Sequence, residues 1–147
     1  MALIADDAKD RAEQLALLTE RLTALIEDDT ARIQAREDLA SGEQADEKTR
    51  LANAYRLELA RIKHDRSLIE GAPARAMAEL KTKTAALHDA LSRHEIALGA
   101  VKIIAEGLVQ AMAEETVRQR RGARGYGATG GVDAASAPCP TVLDRSA

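Results

Sequence analysis

One apolar stripe narrows the possible folds of this chain more than any other feature. Met77, Leu80, Thr84, Leu87, Leu91, His94, Leu98, Val101, Ala105, Leu108 and Met112 follow one another at alternating spacings of three and four residues. That spacing keeps successive side chains on one side of an α-helix, and sustained over about five heptads it predicts a single long helix packed lengthwise against others. The stripe runs unbroken from Pro73 to a basic, glycine-rich tail.

Composition agrees with helices and with little else. Of the 147 residues 46% are hydrophobic but only 1% aromatic, with no Phe and no Trp, and 31% are charged. A core of Leu, Ile, Val, Met and abundant Ala lets helices approach closely but supplies few bulky side chains, which favours an extended bundle over a compact globule. The fold expected is all-α: an elongated antiparallel helical bundle or coiled coil of three long helices over residues 1–121, followed by a flexible, disordered tail, 122–147.

The three helices have readable ends. The first starts near Asp6 or Asp7, whose carboxylates can cap the free amides, and extends to about residue 40 with the stripe Leu15, Leu18, Leu22, Leu25, Ile26 and Ile33. Asp29 falls where the heptad asks for an apolar side chain; the simplest account is that Asp28 and Asp29 are solvated where the helix diverges. Ser41-Gly42-Glu43-Gln44 matches a capping box and opens a second helix over 41–70, with Leu51, Tyr55, Leu59, Ile62 and Ile69 inward; one continuous helix kinked at Gly42 is the alternative. Gly71-Ala72-Pro73 ends it and starts the third, 73–121, so that helices two and three form an antiparallel hairpin. The near part of the stripe, Met77 to Leu91, is accounted for by that hairpin.

The third helix outreaches its partner. At 1.5 Å per residue it spans roughly 73 Å, against roughly 45 Å for the second. Its far part also carries more apolar surface than a two-helix seam needs, through Ile96, Leu98, Val101, Ile103, Ile104, Leu108, Val109 and Met112. Either the first helix or another chain must cover it. Gly99 and Gly107 there fit close approach of a partner backbone or a locally pliable helix.

Charge narrows the partners. The formal net charge is -3, but residues 1–50 hold 13 acids and 7 bases while 117–147 hold 2 acids and 5 bases. A pI of 5.7 without stacking aromatics argues against nucleic acid as the main partner. The run Arg118, Arg120, Arg121, Arg124 is a local exception, read as complementing the negative end of the third helix, or as a dock for an acidic surface. Cys139 is the only cysteine, which rules out an internal disulfide. The first residues lack the basic and apolar regions of a leader, and no apolar run approaches the ~20 residues of a membrane span, so a cytoplasmic protein without stable membrane insertion is expected.

Catalytic and metal chemistry find no constellation. His64, His88 and His94 are too few and wrongly spaced for a helical metal site, and no Glu-x-x-His pair occurs. His94 reads as a packed or hydrogen-bonded histidine in the seam. Acid–base pairs such as Glu58 with Arg61 and Glu79 with Lys83 read as solvated helix-surface pairs. No catalytic residue, metal or cofactor is expected, and the chain is not read as an enzyme. Tyr126, the sole aromatic beyond the helices, is either an anchor for a partner's pocket or an idle residue of the tail.

The pattern Leu-Leu-x-Glu-x-Leu-x-x-Leu at Leu17 to Leu25, the stretch His94-Glu95 through Leu98 to Glu106-Gly107-Leu108-Val109, and Tyr126-Gly-Ala-Thr-Gly130 resemble the FlgN family of flagellar export chaperones, in its alphaproteobacterial branch. The likeness covers most of residues 10–130. It implies a chaperone that keeps hook–filament junction proteins soluble and delivers them to the export gate. The cargo role would fall on Leu98, Val101, Ile104, Ala105, Leu108, Val109 and Met112, and contact with the membrane export component FlhA on Tyr126, which here lacks the helical support usual for the family tyrosine. A helix-in-groove mode needs such an exposed apolar face. The competing reading is a structural coiled-coil or adaptor protein without chaperone activity, whose stripe pairs with a second copy in a homodimer.

Overall fold

A computed structural model describes residues 3–125. Every regular element among them is helical: α1 (Ala8–Ala35), α2 (Glu43–His64), the single turn α3 (Ser67–Glu70) and α4 (Ala74–Gly125). Contacts divide the chain after Glu106 into two units. The first holds α1, α2, α3 and α4 up to Glu106; the described part of the second is the remainder of α4. Tyr126, Cys139 and most of the predicted tail lie outside the described residues.

Local chemistry sets the helix ends. Asp7 caps α1 in extended conformation and accepts from the Asp10 amide at 2.8 Å, satisfying one of the free donors of the first turn. α1 stops at Ala35 rather than near residue 40, because Arg36 adopts a left-handed conformation with φ 58°. The Arg36 and Glu37 amides then donate to the Ile33 and Arg32 carbonyls at 3.1 and 2.9 Å, a Schellman closure. The predicted capping box does not form. Gly42, not Ser41, precedes α2, with φ 64° and no side-chain cap, and the Gln44 amide instead donates to Asp28 on α1 at 3.1 Å. α2 ends at His64 instead of reaching residue 70, because the Asp65 carboxylate accepts from the Ser67 amide and hydroxyl at 3.0 and 2.6 Å and restarts the chain as α3.

Direction is set by the cross-helix pairs in the first unit. Glu20, Glu27 and Thr30 of α1 meet Lys83, Arg93 and His94 of α4 in ascending order, so α1 and α4 run parallel. Arg11 and Arg21 of α1 meet Glu58 and Glu47 of α2 in descending order, so α2 runs antiparallel to α1.

The core centres on α1, not on the hairpin of the second and third helices. α1 buries Ala12, Leu15, Ala16, Leu18, Leu22, Leu25 and Ile26, whereas α2 buries only Ala54 and Glu58. Ala12, Leu15 and Ala16 pack on Ala76 and Leu80, with Tyr55, Ile62 and Ile69 closing one side. Leu22 and Ile26 pack on Leu87 and Ala90, with Leu51, Ala52 and Tyr55 alongside. Each fully buried leucine contributes about 1.5–3 kcal/mol. Leu59, expected inward, is exposed, as are Met77 and Leu91 at the edge of the seam.

Two predicted surface groups prove to be interior. Glu58 is fully buried and takes an ion pair from Arg11, itself buried; Arg61 at 3.4 Å is a second neighbour rather than the sole partner. Asp29 is only 2% exposed and pairs with Lys48 of α2, so it is not a solvated break in the seam. Lys83 reaches Glu20 across to α1 at 2.5 Å.

Candidate partner-binding face on α4

In the first unit the inward row of α4 is Ala76, Leu80, Leu87, Ala90 and Ala97, all buried. His94 lies in that row and its Nδ1 is 3.0 Å from the Thr30 hydroxyl, as a hydrogen-bonded seam histidine should be. Ala97, at 8% exposure, is the last covered position. Val101 and Ile104 continue the same helical side but are 47% and 60% exposed. The cause is the end of α1: once Arg36 turns the chain aside, none of the described residues of this unit lies over the continuing row.

That ending opens a groove of about 400 Å³. Ile33, Gln34 and Arg36 of α1 form one wall; Arg93, Ile96, Ala97, Ala100, Val101 and Ile104 of α4 form the other. The groove is apolar along its floor and cationic at its rim. Arg93 donates to Glu27 at 2.9 Å and lies 3.1 Å from Asp89. The hydrogen bond to Glu27, with the Asp89 charge behind it, raises the Arg93 pKa further above its ordinary value, so this cation is fixed.

The sequence-predicted residues divide accordingly. Val101 and Ile104 line the groove. Leu98 and Ala105 are exposed on the first unit outside it. In the second unit Leu108, Val109 and Met112 are exposed on α4, as is Val117. Tyr126 lies outside the described residues. Ile33, Arg36, Ile96 and Ala100 are groove residues that the stripe did not single out; the signal for Ile33 was its place at the end of the first helix's own apolar row. A second hollow, of about 460 Å³, is lined by Leu3, Ile4, Leu18, Leu51 and Ala54, with Gln14, Glu47 and Arg50 around it.

Two further features bear on the face. A Cβ added at Gly99 or Gly107 would meet no atom of the described residues within 4 Å, so neither glycine makes room for a neighbour there. The expectation that no apolar run approaches a membrane span needs revision: α4 contains an 18-residue window long and apolar enough to cross a bilayer, almost none of it buried. The stretch Ile96–Ala113 fits this, its only charges being Lys102 and Glu106. Among the described residues no cluster of His, Cys, Asp and Glu could hold a metal ion.

No family model matches the chain, and no solved structure matches it. A curated relative does: the chain is 40% identical over 134 residues to the flagellar basal-body protein FlbY of Caulobacter vibrioides, with 90% of each protein covered. The chain, whose described elements are all helices and leave an apolar face of α4 exposed, belongs by similarity over nearly its whole length to the FlbY family of flagellar basal-body proteins.

Proposed function

We propose that the chain is a cytoplasmic flagellar export chaperone, acting as the resemblance to FlgN implies. It holds an amphipathic segment of a hook–filament junction protein and hands it to the export gate. The observation that carries this reading is the α4 row beyond Ala97, where Val101 and Ile104 lose the cover of α1 beside an apolar groove. An amphipathic helix with anchors at i, i+3 or i+4 and i+7 can continue there the packing that α1 provides earlier. Arg36 at the rim favours acidic groups flanking the apolar side of such a segment. The flagellar name of the 40% identical relative supports the cellular setting. No enzymatic step and no cofactor enter this reading.

Co-purification and titration calorimetry with hook–filament junction proteins test it. Val101→Asp and Leu108→Asp are each expected to weaken cargo binding roughly tenfold or more, because one carboxylate is buried without a partner. Both positions are exposed, so the helix content should stay unchanged. Cargo binding unaltered by both substitutions would end the proposal; a stable dimer with no affinity for cargo would favour the structural coiled-coil reading.

A further inference from the structure

We infer that the Ile96–Ala113 stretch of α4 also docks on anionic lipid, lying in the membrane interface rather than crossing it. The first observation is the width of its apolar arc. Val101 and Ile103 are two positions apart, which leaves them about 160° apart around the side of the helix away from Lys102, and Leu98 and Val109 extend that apolar side past Val101. Val101 and Ile103 are both exposed, Ile103 at 71%, and Ile96, one heptad before Ile103, is 70% exposed. A single helix in the groove reaches the Val101 side and the Ile96 wall and leaves Ile103 in water. A helix apolar over most of its circumference is normally buried in a protein core or in lipid.

The polar residues decide between lying and crossing. Lys102 and Glu106 are four positions apart, with their charged atoms at 3.9 Å, and Gln110 comes next at the same spacing. They form one narrow polar line. In a spanning helix this charged pair would sit near the middle of the hydrocarbon, where ionised side chains are costly. In a helix lying flat the same line faces water while the apolar arc enters the acyl boundary.

Charge selects the lipid. Beyond Ala113 the sequence has Glu114 and Glu115 followed by four arginines up to Gly125, a net charge of +2 over residues 114–125. Arg120 and Arg121 are exposed, and Arg118 lies 3.0 Å from Glu115. Basic side chains at the end of an interfacial helix complement anionic headgroups. Phosphatidylglycerol-containing membrane is therefore the occupant that satisfies both the arc and the arginines.

This inference shares α4 with the chaperone reading but is tested at Ile103, which does not line the groove, so the two fail separately. The full chain is floated with vesicles of phosphatidylglycerol and phosphatidylcholine, and with vesicles of phosphatidylcholine alone. Expected is binding to the anionic vesicles that drops roughly tenfold or more on the neutral ones. The Ile103→Asp variant should lose vesicle binding by a similar factor and keep its affinity for cargo, because Ile103 does not line the groove. Ile103 is exposed, so circular dichroism should show unchanged helix. A wild-type chain that stays unbound, that binds both vesicles equally, or that forms a dimer and ignores lipid would overturn the proposal. So would an Ile103→Asp variant that floats as well as the wild type.

Discussion

Glu58 shows how much one buried charge asks of its neighbours. Its side chain is fully enclosed, with the Arg11 guanidinium beside it and Arg61 at 3.4 Å. Removing one member of such a pair leaves the other desolvated and unpaired, which costs about 3–5 kcal/mol, whereas replacing both with apolar side chains of similar volume is often neutral. Glu58→Ala is therefore expected to lower the unfolding free energy by that amount in urea titrations, and Glu58→Met with Arg11→Met to recover most of it. If the double variant is as unstable as the single one, the pair is doing more than satisfying itself. Asp29 and Lys48 repeat the arrangement further along, though Lys48 is one-third exposed and softens the penalty. The buried threonines of α1 avoid the problem locally: Thr19, Thr23 and Thr30 each donate to the carbonyl four residues back, at 2.7 to 2.8 Å.

At the scale of whole helices, α4 was legible because one heptad register persists through it, and a helix tolerates little else over that length. The N-terminus of α1 was legible for the same kind of reason, since the Asp7 carboxylate can cap only the amides of the next few residues. Glu58 and Asp29 were not legible. A single helix's pattern shows that a charge interrupts the apolar face, but the arginine or lysine that meets it comes from another helix, whose register the sequence does not print. The capping box at Ser41 failed likewise, because Gln44 found a better acceptor in Asp28 across the interface. The groove depended on where α1 stops, and that rests on Arg36 in a conformation that sequence rules assign to glycine. A left-handed non-glycine residue costs about 1–2 kcal/mol, partly offset in a glycine variant by a freer unfolded chain. Arg36→Gly should then stabilise the protein by about 0.5–1 kcal/mol in urea titrations. A loss of stability would mean that the arginine side chain holds the helix end in place.

For the molecule as a whole, the acidic groups set where the fold gives way. Hydrogen bonds lower the Asp10, Asp28, Glu47 and Asp65 carboxyls below their ordinary values: from Gln14 and Asp6 to Asp10, from Arg32 to Asp28, from Arg21 to Glu47, and from Ser67 to Asp65. A carboxyl whose folded pKa lies below its unfolded one contributes stability that is present above the unfolded pKa and lost as pH falls through the folded one. With ordinary values of 3.8 for Asp and 4.5 for Glu, the urea midpoint should hold steady from neutrality to about pH 5 and decline below it. Glu47 is the informative member, since Arg21 holds both its oxygens at 2.7 Å and ties α1 to α2. Glu47→Gln keeps the shape but has no proton to gain, so its midpoint should start lower at neutral pH and fall less steeply in acid. Curves that run parallel to the wild type through pH 4 would show that this pair adds nothing to the coupling of the two helices, and that the acid sensitivity arises in the remaining carboxylates.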